Sequence, residues 1–348
     1  MMLSLYVLRI FYKIEELEII YKTTIFVIFV GFFFYFLSAL FQMYTTETYH
    51  FYGVMGTSLD YAGLENPPRS SGLSRLALIL LSFTTIYYIF NKKKGDYKFL
   101  LLITLLGFVT LVFQSRTVSF IYFIFIVTFI IFFFKRFFFD KLFIIFILLL
   151  PLLLNFTYNY VYLLHKIKLE KIAYVDDPVA LGNTMQRSKD LVFYSFKDSI
   201  IRDQLSERKN KFLNEQKINR FSSNRFANWS LAYKIIRQNY FVGYGAQADR
   251  IYIKQSIHNS LIYSLLAGGI YSGIAIILIY LYSIFLIFKL YFSKISSHKE
   301  NYLEIFSCFV LIILGLRSIL ETSFAVFSID YLIFIIALIY LQKKISLD

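Results

Sequence analysis

Cysteine is almost missing from this sequence. Cys308 stands alone inside an apolar run, which rules out an internal disulfide and argues against a thiol nucleophile. Proline and glycine are sparse, 4 and 14 residues of 348, whereas 58% of the chain is apolar and 20% aromatic, far more apolar side chain than a soluble core needs. No apolar run alternates with the period of a barrel strand. Several reach the ~20 residues that cross about 30 Å of hydrocarbon, so the chain reads as an all-α, polytopic helical membrane protein. The first residues, MMLSLYVLRIFYKIEELEII, have neither the basic start nor the small-residue cleavage site of a signal peptide, and are expected to lie along the membrane surface as an amphipathic lead-in. Familiar catalytic signatures are missing too. There is no HExxH, GxSxG, D-x-D or pair of cysteine ligands, so metal-dependent hydrolysis, serine-nucleophile chemistry and a metal-dependent nucleotide-sugar site lack support.

What is present is a set of eight expected spans, at about 24–43, 76–90, 99–113, 118–134, 142–164, 259–288, 303–320 and 324–342. They divide the chain into an N-terminal membrane bundle over 1–164, a large, mainly helical extracytoplasmic segment over 165–257 and a C-terminal membrane bundle over 258–348. Pro151 is expected to kink the fifth span and Gly268-Gly269 to break the sixth. Alternate short loops carry fifteen Lys and Arg against four, the four being Arg69, Arg75, Arg116 and Arg317. That asymmetry places both termini in the cytoplasm and the segment 165–257 outside, since long segments translocate largely regardless of charge. No Lys or Arg remains for the middle of a span, and apart from Asp330, near one end of its helix, no ionisable group is expected at the midplane, where ion-coupled transporters carry theirs.

The short outer loops hold arginine but no lysine, which suits forked recognition of phosphate; snorkelling or hairpin-pairing arginines would give the same count. The outer segment, with seventeen Lys and Arg against nine Asp and Glu, suits anionic headgroups or pyrophosphate-linked substrates, or is a solvated face; nucleic acid is excluded by compartment. Its last part and the following span, Arg225 to Gly273, form the stretch where polar chain meets the membrane. Ser222-Ser223-Asn224 offers a cap, and Phe226, Trp229, Tyr233 and Ile236 recur along one face of a helix ending near Asn239, with Arg225 in its first turn. Such a stripe reads as a packing surface, with Trp229 also suited to an interfacial anchor. Of the four histidines only His258 stands at an outer membrane boundary with a helix start directly after it, either as a solvated cap or as a general base.

His258-Asn259 followed by Gly269 and Gly273 resembles the histidine motif of the O-antigen ligase and O-antigen polymerase family of bacterial membrane glycosyltransferases. Arg225-x-x-x-Trp229 with Gly243-x-Gly245, PPRSSG at Pro67 to Gly72, Gln114-Ser115-Arg116, and Arg317 followed by Glu321 are similar to further family segments, in the same order. The final glycine, Gly273, stands one place later than the family pattern, and the expected spans are fewer than is common there. The resemblance implies transfer of a glycan from an undecaprenyl-pyrophosphate carrier to a sugar hydroxyl on the outer face of the bacterial cytoplasmic (inner) membrane. It implies a donor of that kind, a glycan or lipid-core acceptor, the lipid bilayer and other polysaccharide-assembly membrane proteins as partners, and no metal or cofactor. His258 would activate the acceptor, Arg116, Arg225, Arg317 and Arg69 would hold the departing pyrophosphate, and Asn259, Gly269, Trp229 and Glu321 would support them. A polymerase is slightly favoured over a ligase. A non-enzymatic lipid-linked glycan flippase is the alternative from another class, and would need cations lining a cavity within the spans. Arg317 is equally suited to a salt bridge with Glu321 or Asp330 across its hairpin. Arg75 and His50 stand outside the expected site.

Overall fold

The computed structural model describes residues 12–45, 70–91, 97–112, 116–133, 143–158, 225–254, 257–294, 301–321 and 328–347. Among the described residues every regular element is helical. In chain order these are α1 (Ile14–Thr45), α2 (Ser70–Asn91), α3 (Tyr97–Val112), α4 (Arg116–Phe133), α5 (Phe143–Tyr158), α6 (Arg225–Ile236), a π-helical turn at Asp249–Ile253, α7 (Ser260–Lys294), α8 (Tyr302–Leu320) and α9 (Ile329–Leu347). Among the described residues four stretches are long and apolar enough to cross a membrane: Ile14–Ser38, Gly72–Asn91, Ser260–Phe292 and Tyr302–Leu320. Lys98–Val112, Thr117–Phe133 and Phe143–Tyr158 are apolar but shorter. The protein is therefore a multi-pass helical membrane protein, with four full-length helices described where eight spans are expected.

Two compact units result, one of residues 1–158 and 232–348 and the other of residues 159–231. The division thus falls inside α6. In the larger unit α8 is the axis, packed by α9, α4, α2 and α7. Its sequence explains this: Leu303, Ile305, Phe306, Phe309, Val310, Leu311, Ile313 and Leu314 are all buried, so the helix is apolar around its circumference and must be enclosed. Hydroxyls inside the apolar helices are satisfied locally. Thr84, Thr85 and Thr110 each donate to the carbonyl four residues back at 2.7 Å, which removes the cost of burying them. Pro151 sits within α5, buried against Gly107, where an added Cβ would stand 2.6 Å from Pro151 Cγ. Nearby, Tyr122 Oη donates to Leu148 O at 2.5 Å, an extra bond beside the turn that proline deprives of an amide.

Two expectations are corrected by this geometry. The described part of the lead-in is not a separate surface helix, because α1 runs unbroken from Ile14, with Leu17 and Tyr21 fully buried. Glu18 is accommodated by hydrogen bonds from Tyr340 Oη at 3.0 Å and Asn301 Nδ2 at 3.3 Å, so its charge does not force the helix to the surface. Along α6 the expected stripe is split: Phe226 and Tyr233 are exposed, Trp229 is half-buried, and Ile236 is buried together with Ala232. Tyr233 instead receives the Arg237 guanidinium over its ring at 4.5 Å.

The break in α7 is present and sharper than a kink. Gly268 (φ −128°, ψ 17°) and Gly269 (φ 64°, ψ −159°) separate a short first segment, 260–267, from a long second one, 270–294. Both the start of α7 and its residue 280 reach the last turn of α8: Asn259 Nδ2 donates to Ile319 O at 2.8 Å, Ser260 Oγ to Glu321 O at 3.2 Å, and Tyr280 Oη lies 2.6 Å from Ser318 Oγ. In a straight helix residues 260 and 280 would be about 30 Å apart. The first segment therefore leaves the end of α8 and the second returns past it, with the glycine pair at the apex. Leu265 packs against Gly273, where a Cβ would overlap its Cδ2 methyl and stand 3.0 Å from Cγ, across a separation of about 12 Å in a continuous helix. Gly273 is thus the point where the two segments touch.

Candidate functional site

The starts of α2, α4, α7 and α9 and the end of α8 meet at one end of the larger unit, and their polar side chains form one cluster. Asp330, in the first turn of α9, is fully buried, and its Oδ2 accepts from two guanidiniums at once: Arg75 of α2 at 3.1 Å and Arg317 of α8. Arg317, 7% exposed, also places Nη2 3.6 Å from Glu321 Oε2 one turn on. Glu321 caps the C-terminus of α8, its amide bonded to Arg317 O at 2.7 Å, and Thr117 of α4 donates to its Oε1 at 3.4 Å. Opposite, His258 Nδ1 stands 4.0 Å from Glu321 Oε2, with the imidazole 41% exposed. The order from buried to exposed is therefore Asp330, then Arg317, then Arg75 and Glu321 alike, then His258.

Local structure aims the histidine. Asn259 is the N-cap of α7: its Oδ1 accepts from Ile262 N at 2.9 Å while its Nδ2 holds Ile319 O, so the residue is clamped to two helices at once. His258, directly before it, is held at φ 52°, a left-handed conformation that a side-chain-bearing residue adopts at a cost of about 1–2 kcal/mol. That conformation turns the chain from the preceding loop into the helix and leaves the ring half-open rather than packed.

Buried ion pairs of this kind persist only when geometry and extra hydrogen bonds offset desolvation. With His258 neutral, the four ionised groups Arg75, Arg317, Asp330 and Glu321 cancel in charge. The cancellation does not exhaust the donors. The Nε of Arg75 is buried and has no hydrogen-bond partner among the described residues, and the same holds for Asp330 Oδ1. A guanidinium has five N–H donors, and a carboxylate holding two guanidiniums by their tips fixes their planes while leaving other edges for a ligand.

Of the other residues marked in the sequence, Arg116 is the first residue of α4, beside Thr117 and hence at the same end; its side chain lies outside what is described. Arg69 and His50 lie outside the described residues. Arg225 opens α6 and belongs, with Trp229, to the smaller unit, where the Trp229 and Phe226 rings meet edge to face at 5.3 Å. Gly269 stands at the apex of α7, where a Cβ would collide with Phe241 O. The structure thus brings His258, Asn259, Glu321 and Arg317 together and adds Arg75 and Asp330. Arg75 falls outside the sequence expectation because its partner is 255 positions away. The one usable signal was a lone arginine early in an otherwise apolar helix.

No family model, curated protein or solved structure matches the chain. The functional reading accordingly rests on the geometry of the site together with the resemblance of its motifs.

Proposed function

We propose that this protein is a membrane glycosyltransferase of the O-antigen polymerase or ligase kind, moving a glycan from a polyprenyl-pyrophosphate carrier to a sugar hydroxyl at the bundle end that carries His258. The observation that carries the reading is the pairing of a half-open histidine, backed by Glu321, with two guanidiniums anchored on one buried carboxylate. In such a transfer the acceptor hydroxyl gives its proton to His258, with Nδ1 turned to Glu321 and Nε2 as the accepting atom. The acceptor oxygen bonds to the anomeric carbon, the bond from that carbon to the pyrophosphate oxygen breaks, and the electron pair leaves on the carrier pyrophosphate. Arg75 and Arg317 meet that developing charge from a framework already organised by Asp330, which needs little reorganisation at the moment of reaction. Arg116, at the same end, is a further candidate for the phosphate side, and Arg225 and Arg69 remain proposals on the resemblance alone.

A flippase would need its cations spread along a path through the bundle. Among the described residues the buried guanidiniums are gathered at one end, and the central part of α8 is enclosed by apolar side chains. The test is the surface-glycan profile of a deletion strain complemented with the wild-type gene or with His258→Ala. Loss of long chains in favour of single repeats marks a polymerase, and long chains stranded on the carrier mark a ligase. His258→Ala is expected to reproduce the deletion phenotype at unchanged protein level, a loss of at least ~100-fold in transfer. Full restoration by that variant removes the histidine from the mechanism.

A further inference from the structure

The turn between α6 and the π-helical turn is built into the break of α7. Tyr244 N and Gly245 N donate at 2.8 Å to Leu266 O and Ala267 O, the last carbonyls of the first segment, and Ile270 N, the first amide of the second, donates to Tyr240 O at 2.9 Å. Glycines permit the crossing: a Cβ on Gly243 would stand 2.5 Å from Gly269 N, and one on Gly269 would collide with Phe241 O. Every backbone group named at the break therefore has a protein partner. Inside hydrocarbon that is the condition on which non-helical backbone is tolerated; in water it is not required.

The side chains around this crossing point the same way. On the second segment Tyr271, Ile274, Leu278, Leu281, Phe285, Phe288 and Phe292 are all exposed, spaced by three and four, a single apolar stripe. From Tyr271 to Phe292 it measures about 32 Å, the thickness of a bilayer core. At its upper end, against Gly269, the turn adds Phe241 and Val242, 65% and 72% exposed. The stripe thus begins at the apex of α7, not at the level of the cluster. Tyr280, whose hydroxyl meets Ser318, lies nine residues below Tyr271, about 13 Å of helix, and its side chain leans back toward the apex.

We propose that the apex of α7 and the Tyr240–Val242 turn form a wedge immersed in the acyl chains of the leaflet at the site end. The Arg75, Arg317, Asp330 and Glu321 cluster then lies about 10 Å beneath the hydrocarbon boundary, separated from lipid on that side by a helical hairpin. The occupant of the exposed apolar surface is lipid, on the ground that it continues the lipid-facing stripe of α7 without a gap. This placement does not depend on the reaction proposed above. Its consequence for any ligand is that the cluster is reached from within the leaflet or down a protein-lined shaft, as suits an anion carried on a lipid tail.

The test uses the full chain reconstituted in vesicles, with Val242→Cys and, separately, Tyr271→Cys carrying an environment-sensitive fluorophore. Cys308 is buried, and wild type gives the labelling background. Nitroxide lipids place the quencher either at the headgroup or high on the acyl chain. Both labels are expected to lose most of their emission to the acyl-chain nitroxide, more than to the headgroup nitroxide, and to resist aqueous iodide; Leu278→Cys serves as the mid-bilayer reference. Quenching by iodide with little effect of either nitroxide places the wedge in water and overturns the proposal. Protection from all three quenchers means that protein covers the surface, and overturns it equally.

Discussion

The α8–α9 hairpin has a buried polar group at each end, and the two are built on opposite rules. At the end where α8 begins, Asn301 caps the helix, Glu304 lies in its first turn and is paired with Lys344 in the last turn of α9 at 3.9 Å, and Glu18 near the start of α1 is held by Tyr340 and Asn301. Acids stand at helix starts and a lysine at a helix end, as the helix dipole prefers. At the other end Asp330 and Arg317 obey the same preference, but Glu321 sits at the C-terminus of α8 and Arg116 opens α4, both against it, and His258 is held in a left-handed conformation. Departures from local preference gathered at one end are where a site is looked for, whereas the opposite end follows the dipole preference throughout.

The largest expected effect tests whether the site end is one unit. Asp330→Ala leaves two guanidiniums facing each other with their shared carboxylate gone, and removing one partner of a buried ion pair costs about 3–5 kcal/mol. The midpoint of denaturant-induced unfolding in detergent should fall accordingly, and transfer should be lost. Glu304→Gln is the matching change at the other end. Its lysine is 30% exposed and finds water, so the expected loss is about 1 kcal/mol with transfer unchanged per folded molecule. Equal losses from the two substitutions would erase the distinction between the ends.

A smaller effect separates charge from geometry. Arg75→Lys keeps the cation near Asp330 but cannot offer the planar fork. Stability should change by no more than about 1 kcal/mol, since a lysine can still pair with a carboxylate, while transfer falls by about 10- to 100-fold. Wild-type activity in Arg75→Lys would reduce the residue to a counter-ion and leave Arg317 as the one guanidinium anchored on Asp330 that is proposed to meet the phosphate.

How far all this was legible follows from distance along the chain. The pairing of Arg317 with Glu321 and Asp330 spans four and thirteen positions across one hairpin, and the sequence offers it directly. The break at Gly268-Gly269 is a local property of two adjacent glycines and is equally legible. Arg75 is not, because nothing near it in sequence distinguishes a snorkelling arginine from one that meets Asp330 on a helix at the far end of the chain. The folding back of α7 is hidden for a related reason: periodicity reports that 260–292 is apolar throughout, but the reversal depends on the Tyr240–Gly245 turn capping both cut ends. The start of α1 is hidden likewise, since the groups that donate hydrogen bonds to Glu18 lie at residues 301 and 340.

The smallest expected effect is the most exposed to contradiction. Tyr340 Oη donates to Glu18 at 3.0 Å and receives Asn301 Nδ2 at 3.4 Å, at the end that should matter only for stability. Tyr340→Phe removes the hydroxyl and keeps the ring, which packs against Tyr21 at 5.9 Å. Glu18 retains Asn301 and, at 3.8 Å, Lys22, so it is not stranded. The cost should be the net worth of one hydrogen bond, about 1 kcal/mol. Transfer per folded molecule should be unaltered, because beyond Ser307, which meets Tyr21 at 3.5 Å, α8 carries only apolar residues from Phe309 to Leu316 and so gives the change no polar path to Arg317. A several-fold drop in transfer at an equal folded fraction would mean that α8 moves as a rigid rod between two states, and that the far end sets the position of Arg317.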